Sequence, residues 1–206
     1  MLKTALGKSI ELSRFAVVDY TTCLTGMREF VDNRSKTDDD RVWLVQHPPV
    51  YTQGTSCTQQ TLAPSAIEVV KTDRGGQITY HGPGQWVLYP MLHLPEHQLG
   101  VKSFVALLEQ TVINVLNRYQ IDGERRDDAP GVYVGGAKVA ALGLRIRRGT
   151  SYHGLSLNVD MDLSPFQNID PCGFQGLRVT QLSELTPNVD MNVVANQLIE
   201  EFTALL

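Results

Sequence analysis

Two side chains in this sequence carry chemistry that packing alone does not explain. Cys172 sits in IDPCGFQG between Pro171 and Gly173, where turn formers exclude the interior of a helix or strand. Core cysteines belong to apolar patterns, so this placement points to an accessible thiol. An inert loop cysteine is the alternative, because reactivity depends on an electropositive environment. Lys138 lies inside GGAKVAALGLR, whose small and apolar residues predict a strand buried on both faces. A buried ammonium needs a partner, which a thiolate would supply; a lysine snorkelling from the start of the strand would not need one. A thiolate held beside an amine is a nucleophile of covalent catalysis. Cys57, in GTSCTQQ, shares the loop character without such neighbours and is given no role.

The run RGGQITYHGPGQ, Arg74 to Gln85, reads as a binding surface. Its four glycines are tolerated where backbone turns at positive φ or approaches a ligand, and Arg74, Tyr80, His81 and Gln85 supply polar groups. A tight strand-turn-strand corner is the plainer alternative. His153 opens YHGLSLNVD, with Asn158 and Asp160 following in strand alternation. Either His81 or His153 could be a general base, and either could only hydrogen-bond a backbone. His47, His93 and His97 are scattered without ligand spacing, which gives a metal site little support. The three cysteines are odd in number, far apart and without a CxxC, against both a disulfide framework and a cysteine-rich zinc site. Gly7, Lys8 and Ser9 resemble the end of a phosphate loop, but that motif requires glycine where Leu2 stands.

These residues need a scaffold, and apolar runs of strand length alternate with helical patterns along the chain. A strand is predicted over Phe15 to Tyr20, then a helix with Tyr20, Cys23, Leu24, Met27, Phe30 and Val31 on one face, which makes Cys23 core. Asp32 to Arg41 is charged and aperiodic and reads as a solvated loop. Strands follow at Val42 to Gln46, ending before Pro48, at Gln77 to Tyr80 and at Trp86 to Leu92. A long amphipathic helix covers Val101 to Tyr119, and Gly123 to Asp128 is a charged loop. Gly131 to Val134 and Ala137 to Arg147 form a hairpin through Gly135 and Gly136, with Thr150 to Asp160 returning alongside. A last helix runs from Met191 to Leu205, with Asp190 as its N-cap. Prolines and glycines punctuate elements rather than mark a linker, so residues 1–206 are expected to form one mixed α/β domain with a central mixed sheet.

Composition sets the outer bounds. With 206 residues and 42% hydrophobic content the chain can bury a full core. A net charge of −4 lacks the basic footprint of a nucleic-acid binder, and neither a secretory segment nor a span of membrane length is found. The expectation is a soluble, cytoplasmic protein, with nothing that demands more than a monomer.

Taken in order, RGGQITYHGPGQ, APGVYV with GGAKVAALG, HGLSLNV and DPCGFQG resemble the lipoyl(octanoyl) transferase family, and the resemblance covers most of the chain. It implies the α/β fold of the biotin and lipoate protein ligases, with no cofactor and no metal. The implied reaction moves octanoyl from octanoyl-acyl carrier protein to a lysine of an acceptor, which would be a lipoyl domain of the 2-oxoacid dehydrogenase complexes or the glycine cleavage H protein. The family nucleophile falls on Cys172 and its partner lysine on Lys138. Family substrate contacts fall on Arg74, Gly75, Gly76 and Gln77, and continue through Ile78, Thr79, Tyr80 and His81. Further contacts fall on Ala141, Leu142 and Gly143, and on Gly154, Leu155 and Ser156. Glycine-flanked amides near Cys172 and in the Arg74 to His81 run are the natural oxyanion donors, each able to contribute roughly 3 kcal/mol. Two alternatives remain: an ATP-dependent lipoate or biotin ligase of the same fold, and a non-catalytic module that binds carrier protein or lipoyl domains. Acidic protein partners would be steered by a basic patch, for which Arg145, Arg147 and Arg148 are the candidates.

Overall fold

The structure, a computed structural model, describes residues 2–3, 7–35, 37–57, 66–169 and 177–206. Cys172 and the rest of the segment around it lie outside the described residues. The elements in chain order are β1 (Leu2–Lys3), β2 (Ser9–Val17), α1 (Tyr20–Asn33), β3 (Asp40–Gln46), β4 (Val50–Gln53) and β5 (Glu68–Lys71). Then come β6 (Ile78–His81), β7 (Gln85–Met91), α2 (Val101–Arg118), β8 (Glu124–Arg125), β9 (Gly131–Val134), β10 (Ala137–Arg147) and β11 (Thr150–Asn158). Helices α3 (Leu182–Leu185) and α4 (Met191–Ala204) close the chain.

Among the described residues eight strands form one mixed sheet in the order β1-β2-β3-β7-β11-β10-β9-β8, and three form a second in the order β5-β4-β6. The β2/β3 and β4/β5 pairs are parallel and the others antiparallel. β7 is buried along its whole length because both its faces are covered. Trp86 and Leu88 join the core under α2 and α4, whereas Val87, Tyr89 and Met91 point the other way into the core under α1. Helix α1 forms because Tyr20, Cys23, Leu24, Met27 and Val31 recur at helical spacing and Asp19 caps it, accepting from the Thr22 amide at 2.8 Å. Asp190 caps α4 in the same way, accepting from the amides of Asn192 and Val193.

The β9–β10 hairpin turns at Gly135 and Gly136 with φ of +53° and +79°, the left-handed pair that a two-residue turn of this hand requires. Three expectations need correction. The first strand ends at Val17 and Tyr20 already belongs to α1, because the Asp19 cap fixes the helix start. Asp32 to Arg41 is not a solvated loop throughout: α1 runs to Asn33, and Asp40 is buried at the start of β3. Its carboxylate accepts from Arg34 at 2.8 Å, from His97 Nε2 and from the His93 amide at 2.9 Å. Burial pushes the Asp40 pKa up, but these donors together outweigh it and hold the carboxyl below its usual value. Within Gly123 to Asp128, Glu124 and Arg125 pair with Tyr133 and Val132 as β8.

Candidate active site

A cleft opens on the α1 side of the large sheet, between β7, β10 and β11 below and β6 of the small sheet above. Register decides which residues face it. Ala141 pairs with Ser156 and Gly143 with Gly154, and Ser156 pairs in turn with Val87, so these alternate positions share one face. Gly154 has to be glycine, because a Cβ there would lie 2.0 Å from the Leu88 carbonyl oxygen. A Cβ at Gly143 would press on Arg74 Cδ at 3.0 Å and on the Gly75 carbonyl at 3.1 Å, so the missing side chain lets the Arg74 segment close onto β10.

Of the residues expected from sequence, Arg74, Gly76, Gln77, Ile78, Thr79 and His81 line the cleft from the first segment. Lys138, Ala141, Leu142, Gly143, Gly154, Leu155 and Ser156 line it from the sheet. Gly75 does not; its amide donates to the Leu144 carbonyl at 2.9 Å and it borders a neighbouring groove. Tyr80 does not line it; its ring packs against Tyr51 and Phe166. Sequence reasoning missed Tyr20, Val87, Tyr89, Asn158, Phe166 and Val179 as cleft residues. Tyr20 was legible only as part of an apolar helix stripe, and Val87 and Tyr89 only as strand core. Asn158 alone carried a signal, as a polar residue in an otherwise apolar strand.

Lys138 is 3% exposed. Its Nζ donates to the Pro130 carbonyl at 3.1 Å and lies 5.0 Å from the Tyr133 ring centroid, so the ammonium turns toward the start of β9. A register shift in β10 between Lys138 and Ala140 frees its main chain for another partner. The Lys138 amide donates to Arg178 at 2.8 Å, and the Thr180 amide donates to Lys138 at 2.9 Å. These bonds tie Lys138 to the chain that leaves the DPCGFQG segment. On the other side of that segment, Ile169 packs in the cluster that holds Tyr51, Ile78 and Tyr80. Phe166 and Val179, which flank the segment in sequence, both line the cleft.

The rest of the cleft is polar and tightly bonded. Arg74 is 7% exposed and donates from Nη2 to the Thr52 carbonyl and hydroxyl and from Nε to the same hydroxyl. His81 Nδ1 lies 2.7 Å from Gln85 Oε1, an acceptor, so Nδ1 carries the proton. Gln85 donates from Nε2 to Asn158 Oδ1 at 2.8 Å, which fixes that amide orientation. His81 Nε2 is then an acceptor, 3.4 Å from the Thr52 hydroxyl. Burial first, and His47 next, push the His81 pKa down to about 3, so its imidazole is neutral and a weak base at neutral pH.

His153 is 1% exposed, and Asp73 accepts from its Nε2 at 3.1 Å. Its Nδ1 lies 3.5 Å from the Tyr20 hydroxyl, whose pKa burial raises to about 12. Burial lowers the His153 pKa and outweighs the opposing pull of Asp73. Asp73 is held well below the usual carboxylate range, by His153 first and by Tyr152 and Arg28 besides. Cys23 is buried as expected, its thiol pushed up to about 11 by burial and then by Asp19. Among the described residues no three His, Cys, Asp or Glu side chains gather as a metal-ligand set, and no helix is long and apolar enough to cross a membrane. Arg147 pairs with Asp32 at 3.0 Å and Arg148 donates to the Asp32 carbonyl, which partly neutralises the basic patch expected there.

Comparison with known proteins gives a consistent result. The family model of the lipoyl protein ligase A/B catalytic domain matches residues 19–203. The chain is 47% identical over 205 residues to an octanoyltransferase of Nitrosomonas eutropha, covering 99% of this chain and 91% of that protein. It is 50% identical over 188 residues to an octanoyltransferase of Escherichia coli, covering 91% and 88%. Among solved structures, the bi-partite lipoate protein ligase of Thermoplasma acidophilum, studied with its E2 lipoyl domain, superposes with a TM-score of 0.75 at 15% identity. That match covers 95% of this chain and 82% of the other, and shows a shared fold.

Proposed function

This chain belongs to the lipoyl protein ligase A/B catalytic domain family and is an acyltransferase of lipoyl-domain proteins, and we propose the donor, the acceptors and the covalent course of its reaction. The donor is octanoyl-acyl carrier protein. The acceptor is one lysine on the lipoyl domains of 2-oxoacid dehydrogenase complexes and on the glycine cleavage H protein.

Cys172, as thiolate, attacks the octanoyl carbonyl, and the bond to the carrier's sulfur breaks, giving an octanoyl thioester on the enzyme and a carrier thiolate that takes a proton from water. The acceptor amine, deprotonated, then attacks that thioester; the new C–N bond forms, the C–S bond to Cys172 breaks, and an amide is left. A thioester carries enough free energy to form the amide without nucleotide.

Lys138 is the second catalytic group. Lowering a thiol pKa from about 8.5 to about 6.5 raises its thiolate fraction at pH 7 roughly 25-fold. A Brønsted slope of about 0.45 makes that thiolate roughly 8-fold less nucleophilic, so electrostatic activation alone nets only about threefold. Lys138 therefore matters more as the group that takes the proton from the incoming lysine, a role open to an amine and closed to a guanidinium. His81, with a pKa near 3, is a poor base for that task.

The observation that carries the reading is the pair of main-chain bonds between Lys138 and residues 178–180. Cys172 precedes Arg178 by six positions, at most about 20 Å of extended chain, a reach that supports pairing the thiol with Lys138. Incubating the enzyme with octanoyl-acyl carrier protein alone, without ATP, tests it by intact mass. One octanoyl adduct on Cys172, chased to product by a lipoyl domain, is expected. An active enzyme without the adduct would remove the covalent step, and a requirement for ATP would replace the reaction class.

A further inference from the structure

Glu109 is an exception on its own helix. It lies on α2 between Leu108 and Val112, which pack into the core, and it is only 6% exposed. A carboxylate in such a place is costly unless its oxygens are bonded. Oε1 accepts from the Gly131 amide at 3.0 Å, and Oε2 lies 3.5 Å from Arg125 Nε. Arg125 reaches it from β8, where it pairs with Val132, and is anchored further by the Ala106 carbonyl and by Gln110. A neutral acceptor such as glutamine would also satisfy the Gly131 amide, so the charge calls for another reason.

That reason lies across one peptide bond. The amide that donates to Glu109 and the carbonyl that takes the Lys138 ammonium at 3.1 Å belong to the same unit, Pro130–Gly131. In a trans peptide the N–H and C=O point in opposite directions, so carboxylate and ammonium sit at opposite edges of one plane. Each hydrogen bond polarises the peptide in the sense that strengthens the other. Among the described residues Lys138 lines the cleft and Glu109 does not. Gly131 is shaped for the contact as well: its φ is +146°, and a Cβ there would lie 2.9 Å from Lys138 Cε and 3.1 Å from Nζ. A side chain at that position would push the ammonium off the Pro130 carbonyl.

We propose that Glu109 is a positioning residue for Lys138, its charge acting through the Pro130–Gly131 peptide to hold the ε-amino group and to stabilise the ammonium formed when Lys138 takes the proton of the incoming lysine. A neutral amine that donates one N–H to Pro130 keeps its lone pair for that proton. Once the proton has arrived, the polarised carbonyl bears part of the new charge. This rests on the proton role of Lys138 in the acyl-transfer reading above and adds the group that stands behind it. Arg125 does not cancel the effect, because its side chain is 39% exposed and screened by water, whereas the bond from Gly131 to Glu109 is buried.

Glu109→Gln provides the test, since it keeps an acceptor for the Gly131 amide and removes only the charge. The nitrogen NMR resonance of Lys138 Nζ is expected to shift in this variant, and an unchanged resonance would overturn the coupling. Transfer from isolated octanoyl-enzyme to a lipoyl domain is expected to slow about fivefold in Glu109→Gln, with octanoyl-enzyme formation from octanoyl-acyl carrier protein within about threefold of wild type. A full transfer rate would overturn the proposal. Adding Glu109→Gln to Lys138→Met is expected to slow transfer no further; an undiminished loss in that background would overturn the proposal in favour of a plain tie between α2 and β9. A Lys138→Met enzyme with the wild-type transfer rate would instead break the proton role, and the Nζ resonance would still decide whether Glu109 acts on Lys138.

Discussion

His153 donates from Nε2 to the Asp73 carboxylate at 3.1 Å while its own backbone holds φ at +57° inside β11. A non-glycine residue in that region is strained, and the strain persists because Asp73, Tyr20 and the register with Leu144 hold the ring in place. The pair lies in a neighbourhood where burial lowers the pKa of His47, His81 and His153 alike.

Those three histidines make the protein acid-sensitive in a defined window. An unfolded imidazole titrates near 6.5, and His81 in the folded chain near 3. Between those values the unfolded chain binds a proton that the folded chain refuses. Their stability contribution is therefore complete above pH 6.5 and falls as pH drops, by up to about 1.4 kcal/mol per pH unit for each group. Asp73 has the same sign but a lower window: its contribution is present above about pH 3.9 and declines only below it. Urea unfolding at pH 7, 6 and 5 should show stability falling with acid, and His81→Gln should reduce the slope by close to one proton. An unchanged slope would refute the buried neutral imidazole.

Replacing Lys138 with arginine keeps a cation and removes a titratable base. The thioester-forming step should survive within a few-fold, because electrostatic activation of the thiol nets only about threefold. Transfer to the acceptor should fall by 10²-fold or more, the usual size of a general-base contribution. Single-turnover measurement of both steps checks this; an arginine variant with full transfer rate would end the proton role.

Much of the scaffold was legible because its signals are local. The helix over Val101–Arg118, the Gly135–Gly136 turn and the Asp190 cap each rest on spacing or on one residue's conformational chemistry. The site segments were legible for a different reason: glycine beside arginine and histidine in RGGQITYHGPGQ, and a lysine in a buried strand, are costly choices that packing does not repay. What stayed hidden depends on distant partners. Asp40 looked like one more charge in a solvated run, and only the fold brings Arg34 and His97 to it. Tyr20 read as core because an aromatic at helical spacing is ordinary, and its place at the cleft depends on how α1 sits on β11.

The Asp40 cluster gives a stability prediction independent of the site. Asp40 is 3% exposed and the Arg34 side chain 6%, so Asp40→Asn leaves a buried guanidinium without its counter-charge. Breaking one partner of a buried pair costs about 3–5 kcal/mol. Denaturant unfolding should show a loss of that order, while octanoyl transfer by the remaining folded enzyme stays close to wild type. A loss below about 1 kcal/mol would mean that the pair is effectively solvated.

Chain-length selection follows from register. The Lys138 ammonium reaches Pro130, next to the Gly131 that pairs with Ala141, and His153 pairs with Leu144 three residues further along β10. Three strand residues span about 10 Å, the extended length of an eight-carbon acyl chain. Tyr20 and His153 line the same cleft as Ala141 and Ser156, and both are bonded into the Asp73 network, so an acyl chain laid along β10 from Lys138 would end against them. A longer chain would have to displace those groups and leave Asp73 short of a donor. His153→Gly relieves the left-handed backbone and opens the end wall, so it should move preference from octanoyl toward dodecanoyl. Each added buried methylene contributes about 0.8 kcal/mol, so burying only two of the four extra ones should already raise the dodecanoyl-to-octanoyl ratio of kcat/KM by roughly tenfold or more. If the ratio is unchanged while His153→Gly remains folded, the acyl chain does not run toward His153, and Ser156→Phe, beside Ala141 in the cleft, should then spare octanoyl transfer as well.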